Sequence, residues 1–228
     1  MSYTLLKASK ILFTNELKAK ASIYLGETED NVAKALDAVV PSLLVFFAEK
    51  SNAANGSNIL TSMISNQYAS ATHLNLEHYF SIENGSLLNK GDRIAGELLG
   101  NRTGNFIGNI STYAGIKPVS AACLLSIAVP ALLALAGDTG IRGYNSNVKK
   151  RFEGIYKDIL AAIPRDFNVK NILNDAEVIG GPTGKSKQSA DHLYKNEKKE
   201  SALHRVLSTI LLLILAAIIS WYFFGKKL

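Results

Sequence analysis

Few stretches of this 228-residue chain have residue types at spacings that could do chemistry. Gly180-Gly-Pro-Thr-Gly-Lys-Ser186 comes nearest to a phosphate-binding loop. Such a loop needs Gly-x-x-x-x-Gly-Lys-Ser between a strand and a helix, so that backbone amides can curl round the phosphates. Here its first glycine would fall on Ile179, and polar residues follow where an apolar helix should begin. The stretch reads as a linker, and no nucleotide cofactor is expected. His73-Leu-Asn-Leu-Glu-His78 resembles a zinc helix but is one residue longer than the inverted zincin motif. On a helix, His78 would lie about 140° from His73, so the two imidazoles diverge and no metal is expected.

The remaining candidates are weaker. Cys123 lies in Ser120-Ala-Ala-Cys-Leu-Leu125, an apolar setting that raises a thiol's pKa and makes it a packed core residue rather than a nucleophile. As the single cysteine it excludes an intrachain disulfide and a Cys-rich zinc site. Asn55-Gly-Ser57, Asn84-Gly-Ser86, Asn101-Arg-Thr103 and Asn109-Ile-Ser111 match a glycosylation pattern but, without export, read as turn and surface residues. Lys149-Lys150-Arg151 reads as a solvated helix start rather than an anion contact. No Gly-x-Ser-x-Gly elbow is present. The expectation is a protein with no catalytic residue, no cofactor and no metal, not an enzyme.

Charge narrows the partners. The formal net charge of +6 is unevenly spread. Residues 1–178 carry 17 Lys/Arg against 16 Asp/Glu, and residues 179–228 carry 8 against 3. The basicity belongs to the tail, so the body offers no broad face for nucleic acid.

The tail is also where the clearest physical signal lies. Val206–Phe224 is 19 residues without a charge, 12 of them Leu, Ile, Val or Phe. As a helix it would reach roughly 28 Å, close to the ~30 Å hydrocarbon thickness of a bilayer. Arg205 and Lys226-Lys227 bracket it, and Trp221 and Tyr222 stand where an aromatic belt would. Six Lys/Arg between Lys185 and Arg205 precede the run and two follow it, so the positive-inside rule puts the body in the cytoplasm. The expected topology is a single-pass tail anchor, with the upstream lysines against an anionic leaflet. The N-terminus shows no secretory signal, because Lys7, Lys10, Glu16 and Lys18 interrupt any apolar core.

The body reads as helix throughout, with no convincing alternating strand pattern. Thr28–Lys50 places Val32, Ala35, Leu36, Val39, Val40, Leu43, Leu44 and Phe47 at three-and-four spacing, with Thr28 as N-cap and Glu29 and Asp30 in the first turn. Further helices are expected near 3–25, 58–74, 90–99, 117–136 and 146–163. Leu36–Phe47 echoes Leu125–Ala136 at five of twelve positions, including Pro41/Pro130, Leu43/Leu132 and Leu44/Leu133. Upstream, Ala21–Gly26 loosely echoes Ala95–Gly100. Each proline should kink its helix, and the two kinked helices should pack together as the core. Val119–Gly137 is also 19 residues without a charge. Its likeness to the 36–47 segment, which holds Asp37, favours a core helix over a second membrane span.

Lys20-Ala-Ser-Ile-Tyr-Leu-Gly-Glu-Thr-Glu-Asp-Asn-Val-Ala-Lys-Ala-Leu-Asp-Ala-Val-Val-Pro-Ser-Leu-Leu44 resembles the opening of the YidB-like bacterial family, a domain of unknown function. Ser126-Ile-Ala-Val-Pro-Ala-Leu-Leu133 and Ile159-Leu-Ala-Ala-Ile-Pro164 resemble its second half. The resemblance covers about residues 5–175 and implies an all-helical cytoplasmic domain with no established activity. Some relatives continue through a membrane helix into a peptidoglycan-binding domain; this sequence departs from them by stopping at Leu228. The expected organisation is an all-α multi-helix domain at 1–178, a polar basic linker at 179–204, a transmembrane helix at 205–225 and a short tail at 226–228. Its expected role is a scaffold or adaptor whose contacts are the lipid bilayer and a protein partner or a second copy of itself. The alternative is an envelope- or cell-wall-associated membrane component.

Overall fold

A computed structural model describes residues 2–70, Leu76, Phe80, 85–141 and 147–169, and within them every regular element is helical. All lie in the first of the two units into which the chain divides, Met1–Gly180. The helices are α1 (Ser2–Leu12), α2 (Asn15–Leu25), α3 (Glu29–Asn52), α4 (Gly56–Ala69), α5 (Gly85–Leu99), α6 (Thr103–Ala114), α7 (Pro118–Asp138), α8 (Val148–Glu153) and α9 (Tyr156–Ala162). A 3-10 turn, Gly100–Arg102, joins α5 to α6. The membrane-flanking residues Arg205, Trp221, Tyr222, Lys226 and Lys227 lie outside the described residues, as do linker and apolar run.

Boundaries differ from the sequence expectation where local chemistry outweighs periodicity. The expected helix at 3–25 is two helices, because Thr14 turns extended and its hydroxyl accepts from the Leu17 N–H at 3.1 Å, starting α2 afresh. Helix α6 was not expected; Gly104, Gly108 and Asn residues dilute its apolar stripe, yet Phe106, Ile110 and Ala114 bury one face. The 146–163 segment is α8 and α9, broken at Gly154–Ile155.

Two long helices carry the core. Leu43, Leu44, Leu132 and Leu133 are all 0% exposed, and Pro41 and Pro130 lie inside continuous helices. Both α3 and α7 are long and apolar enough to cross a membrane, and most of each is buried within the fold. They touch each other, and the helix after each lies on the other: α4 follows α3 and lies along α7, while α8 and α9 follow α7 and lie along α3. Rings continue the core outward, with Phe46 edge-on to Phe106 at 5.2 Å and Phe47 edge-on to Phe152 at 6.0 Å.

This arrangement corrects the upstream half of the internal echo. Gly26 and Gly115 both end a helix in the left-handed conformation (φ 61° and 69°), and each stands fifteen residues before its proline. The segment equivalent to Ser22-Ile-Tyr-Leu-Gly26 is therefore Ser111-Thr-Tyr-Ala-Gly115, not Ala95–Gly100. Glycine is required at these caps because a Cβ at positive φ is strained. The chain thus repeats one unit, a helix, a left-handed glycine and a long proline-bearing helix, as α2–α3 and α6–α7.

Candidate functional site

The two glycine corners meet. Asn31, at the start of α3, donates its side-chain amide to the Gly115 carbonyl at 3.3 Å. Lys117, at the start of α7, donates its ammonium to the Gly26 carbonyl at 3.4 Å. Each unit's helix start thus caps the carbonyl of the other unit's glycine, an approximately two-fold exchange. The Glu27 carboxylate completes it by accepting from the Lys117 N–H at 2.9 Å and the Ser120 hydroxyl at 2.7 Å. Because α7 begins on a proline with no capping side chain of its own, a carboxylate from the other corner supplies the negative end its dipole favours. The backbone bond from Lys117, with the Ser120 hydroxyl and the Lys117 charge, holds the Glu27 carboxyl below its ordinary range against a smaller opposing effect of burial. The cluster locks helices in place and presents no reactive group.

A second feature is an open groove of about 570 Å³ between α4 and α5, which both lie along α7 and pack far more on it than on each other. One wall is a polar ladder of residues four apart, Asn58, Ser62 and Asn66 on α4 and Ser70 at its C-terminal cap. The other wall is α5, carrying Lys90, Arg93 and Glu97. Buried Met63 and Ile94 and half-exposed Ile59 supply its apolar surface. Among the described residues neither Lys90 nor Arg93 has an ion-pair partner. The polar ladder was legible in the expected 58–74 helix, but nothing in the sequence placed α5 opposite it.

The residue groups weighed for chemistry scatter. Cys123 is half-buried on α7, and among the described residues no group of His, Cys, Asp and Glu could hold a metal. Lys149 pairs with Glu153 at 3.8 Å and Arg151 reaches the Thr139 carbonyl at 3.4 Å, which makes this run a helix surface. Asn55 is the left-handed residue before α4, while Asn101 and Asn109 are exposed. His73, Glu77, His78, Asn84 and Gly180–Ser186 fall outside the described residues. Elsewhere Arg102 bridges to Glu49 at 2.9 Å while lying over the Phe46 ring, tying the 3-10 turn to α3.

A family model described as a bacterial protein of unknown function (DUF937) matches residues 11–138. The chain belongs to this family. The resemblance in the sequence pointed the same way. No curated protein and no solved structure matches the chain. The DUF937 match runs from within α1 to the end of α7, so both glycine corners, both proline helices and both walls of the groove fall inside it. The segments after α7 lie beyond the match.

Proposed function

We propose that this DUF937 protein is a membrane-tethered adaptor of the bacterial inner membrane, its helical domain on the cytoplasmic side. The observation that carries the reading is Val206–Phe224, uncharged throughout and preceded by six Lys/Arg from Lys185 to Arg205. Its length suits one crossing, and the basic segment before it suits the anionic cytoplasmic leaflet at about 1 kcal/mol per Lys or Arg near the surface. The domain acts by binding a protein partner or a second copy of itself, and not by catalysis. In support, the charged residues best tied down, Glu27, Lys117, Glu49 and Arg102, are spent on helix contacts, while the groove between α4 and α5 offers a wall of amides and cations to an external group.

The test is topological. The full chain should stay in the membrane pellet after alkaline carbonate extraction, and a variant lacking 206–224 should leave it. Protease added to intact spheroplasts should spare the N-terminal domain and digest it once the membrane is opened. Release of the full chain by carbonate, or digestion of the domain from outside, refutes the reading.

A further inference from the structure

We propose that the groove between α4 and α5 binds an extended peptide segment of a partner protein that carries an acidic side chain. The inference deepens the adaptor reading by giving the adaptor a partner chemistry. The two can fail separately, because membrane attachment is read by extraction and the groove by peptide selection.

Three properties of the groove select such an occupant. The first is charge. Lys90 and Arg93 stand three residues apart on α5, hence on one face, and neither has an ion-pair partner among the described residues. Glu97, one turn beyond Arg93, leaves the cationic end of the wall distinct from its anionic end. A carboxylate at the Arg93 end can be held by a forked, charge-assisted bond. The second property is the facing ladder. Side-chain amides both donate and accept, as a peptide backbone does, so Asn58 and Asn66 can pair with successive peptide groups. A free anion uses only the donors of that wall, whereas a peptide backbone uses its donors and its acceptors. The third is size. From residue 58 to residue 70 a helix rises about 18 Å, the length of five or six extended residues at ~3.3 Å each. The volume of about 570 Å³ lies within the range of about 300–1,000 Å³ usual for ligand clefts, and Ile59, Met63 and Ile94 give alternate side chains an apolar seat.

The chain's own basic segment has the wrong sign for this wall. Residues 181–204 carry five Lys against three Asp/Glu, a net +2. The occupant is therefore assigned to another protein.

The experiment uses the full chain in nanodiscs of zwitterionic lipid and a phage library of random eight-residue peptides. Selected peptides should be enriched in Asp and Glu about threefold over the starting library. A fluorescein-labelled peptide from the selected pool should bind saturably by anisotropy and weaken at least tenfold when its acidic residues become Asn or Gln. Lys90→Gln with Arg93→Gln should weaken it at least tenfold, and Asn66→Leu should weaken it several-fold. Lys149→Gln, at a cation already paired with Glu153, should leave it unchanged. All of these positions are exposed, so circular dichroism should report an intact fold. Absence of selection, selection of neutral or basic peptides, or equal loss in Lys149→Gln overturns the proposal. So does a groove variant that keeps peptide binding but loses flotation with phosphatidylglycerol vesicles, since the cations would then serve a headgroup.

Discussion

Two glycines on α5 should respond to the same substitution with opposite signs. Gly91 faces α7 at Ser126, the residue four before Pro130. In a regular helix the Ser126 carbonyl would accept from the N–H at 130, which proline lacks. The Gly91 Cα closes over that freed carbonyl, and a methyl at 91 would overlap its oxygen and stand 2.7 Å from its carbon. Carbon atoms rest at about 3.5–4.0 Å, so α5 and α7 would have to separate by roughly 0.8 Å or more. Overpacking of this kind costs ~1–3 kcal/mol, and the obstacle is backbone that cannot rotate away, which places the cost at the upper end. Alanine's better helix propensity returns about 1 kcal/mol, leaving Gly91→Ala destabilised by about 1–2 kcal/mol. At Gly96, on the same helix, an added methyl meets nothing within 4 Å. Gly96→Ala should keep the whole propensity gain and stabilise by about 0.8–1 kcal/mol. Thermal unfolding of the full chain in nanodiscs, followed by helical ellipticity, should show Tm falling for the first variant and rising for the second, at about 2–4 °C per kcal/mol for a domain of this size. If Gly91→Ala is as stable as Gly96→Ala, the close approach of α5 to the proline carbonyl is wrong.

Two further outcomes follow from the core and the corners. Leu44→Ala and Leu133→Ala each remove a fully buried side chain and should cost ~2–5 kcal/mol by urea titration; near-zero changes at both would remove these leucines from the core. Because the folded-state pKa of Glu27 is lowered, its contribution is fully present above the ordinary carboxylate pKa of 4.5 and is lost as pH falls through the lower folded value. Between neutral pH and that acid range, the Tm gap between the natural chain and Glu27→Gln should therefore shrink; a gap that widens on acidification would contradict the assigned partners.

The sequence by itself determined the secondary-structure class and the core. Periodicity is a local property, and the apolar three-and-four spacing in α3 named one buried face, Val32 through Phe47; it did not show that Ala38, Val45, Phe46 and Ala48 are buried as well, because neighbours cover this helix on all sides. The Pro41/Pro130 echo was equally legible, because identical residues at one offset need no third dimension. The family followed from the same apolar and small residues. Helix ends were less legible: a hydroxyl at Thr14 and glycine at 154 overrode runs whose periodicity continued across them.

What only the tertiary structure decided is which segments meet. Glu27 caps α7 from 90 residues away in sequence, and no local pattern marks it as other than an acid just before the Thr28 N-cap. Gly26, Gly100 and Gly115 are all left-handed, so conformation alone does not choose the partner of the Gly26 corner; the exchanged contacts of Asn31 with Gly115 and of Lys117 with Gly26 do. The groove has the same origin. Its ladder is encoded along α4 and its cations along α5, but α7 sets their juxtaposition by holding both helices on its own surface. Local propensity chooses the helices, and the buried faces of α3 and α7, which have no other surface to cover them, choose their neighbours.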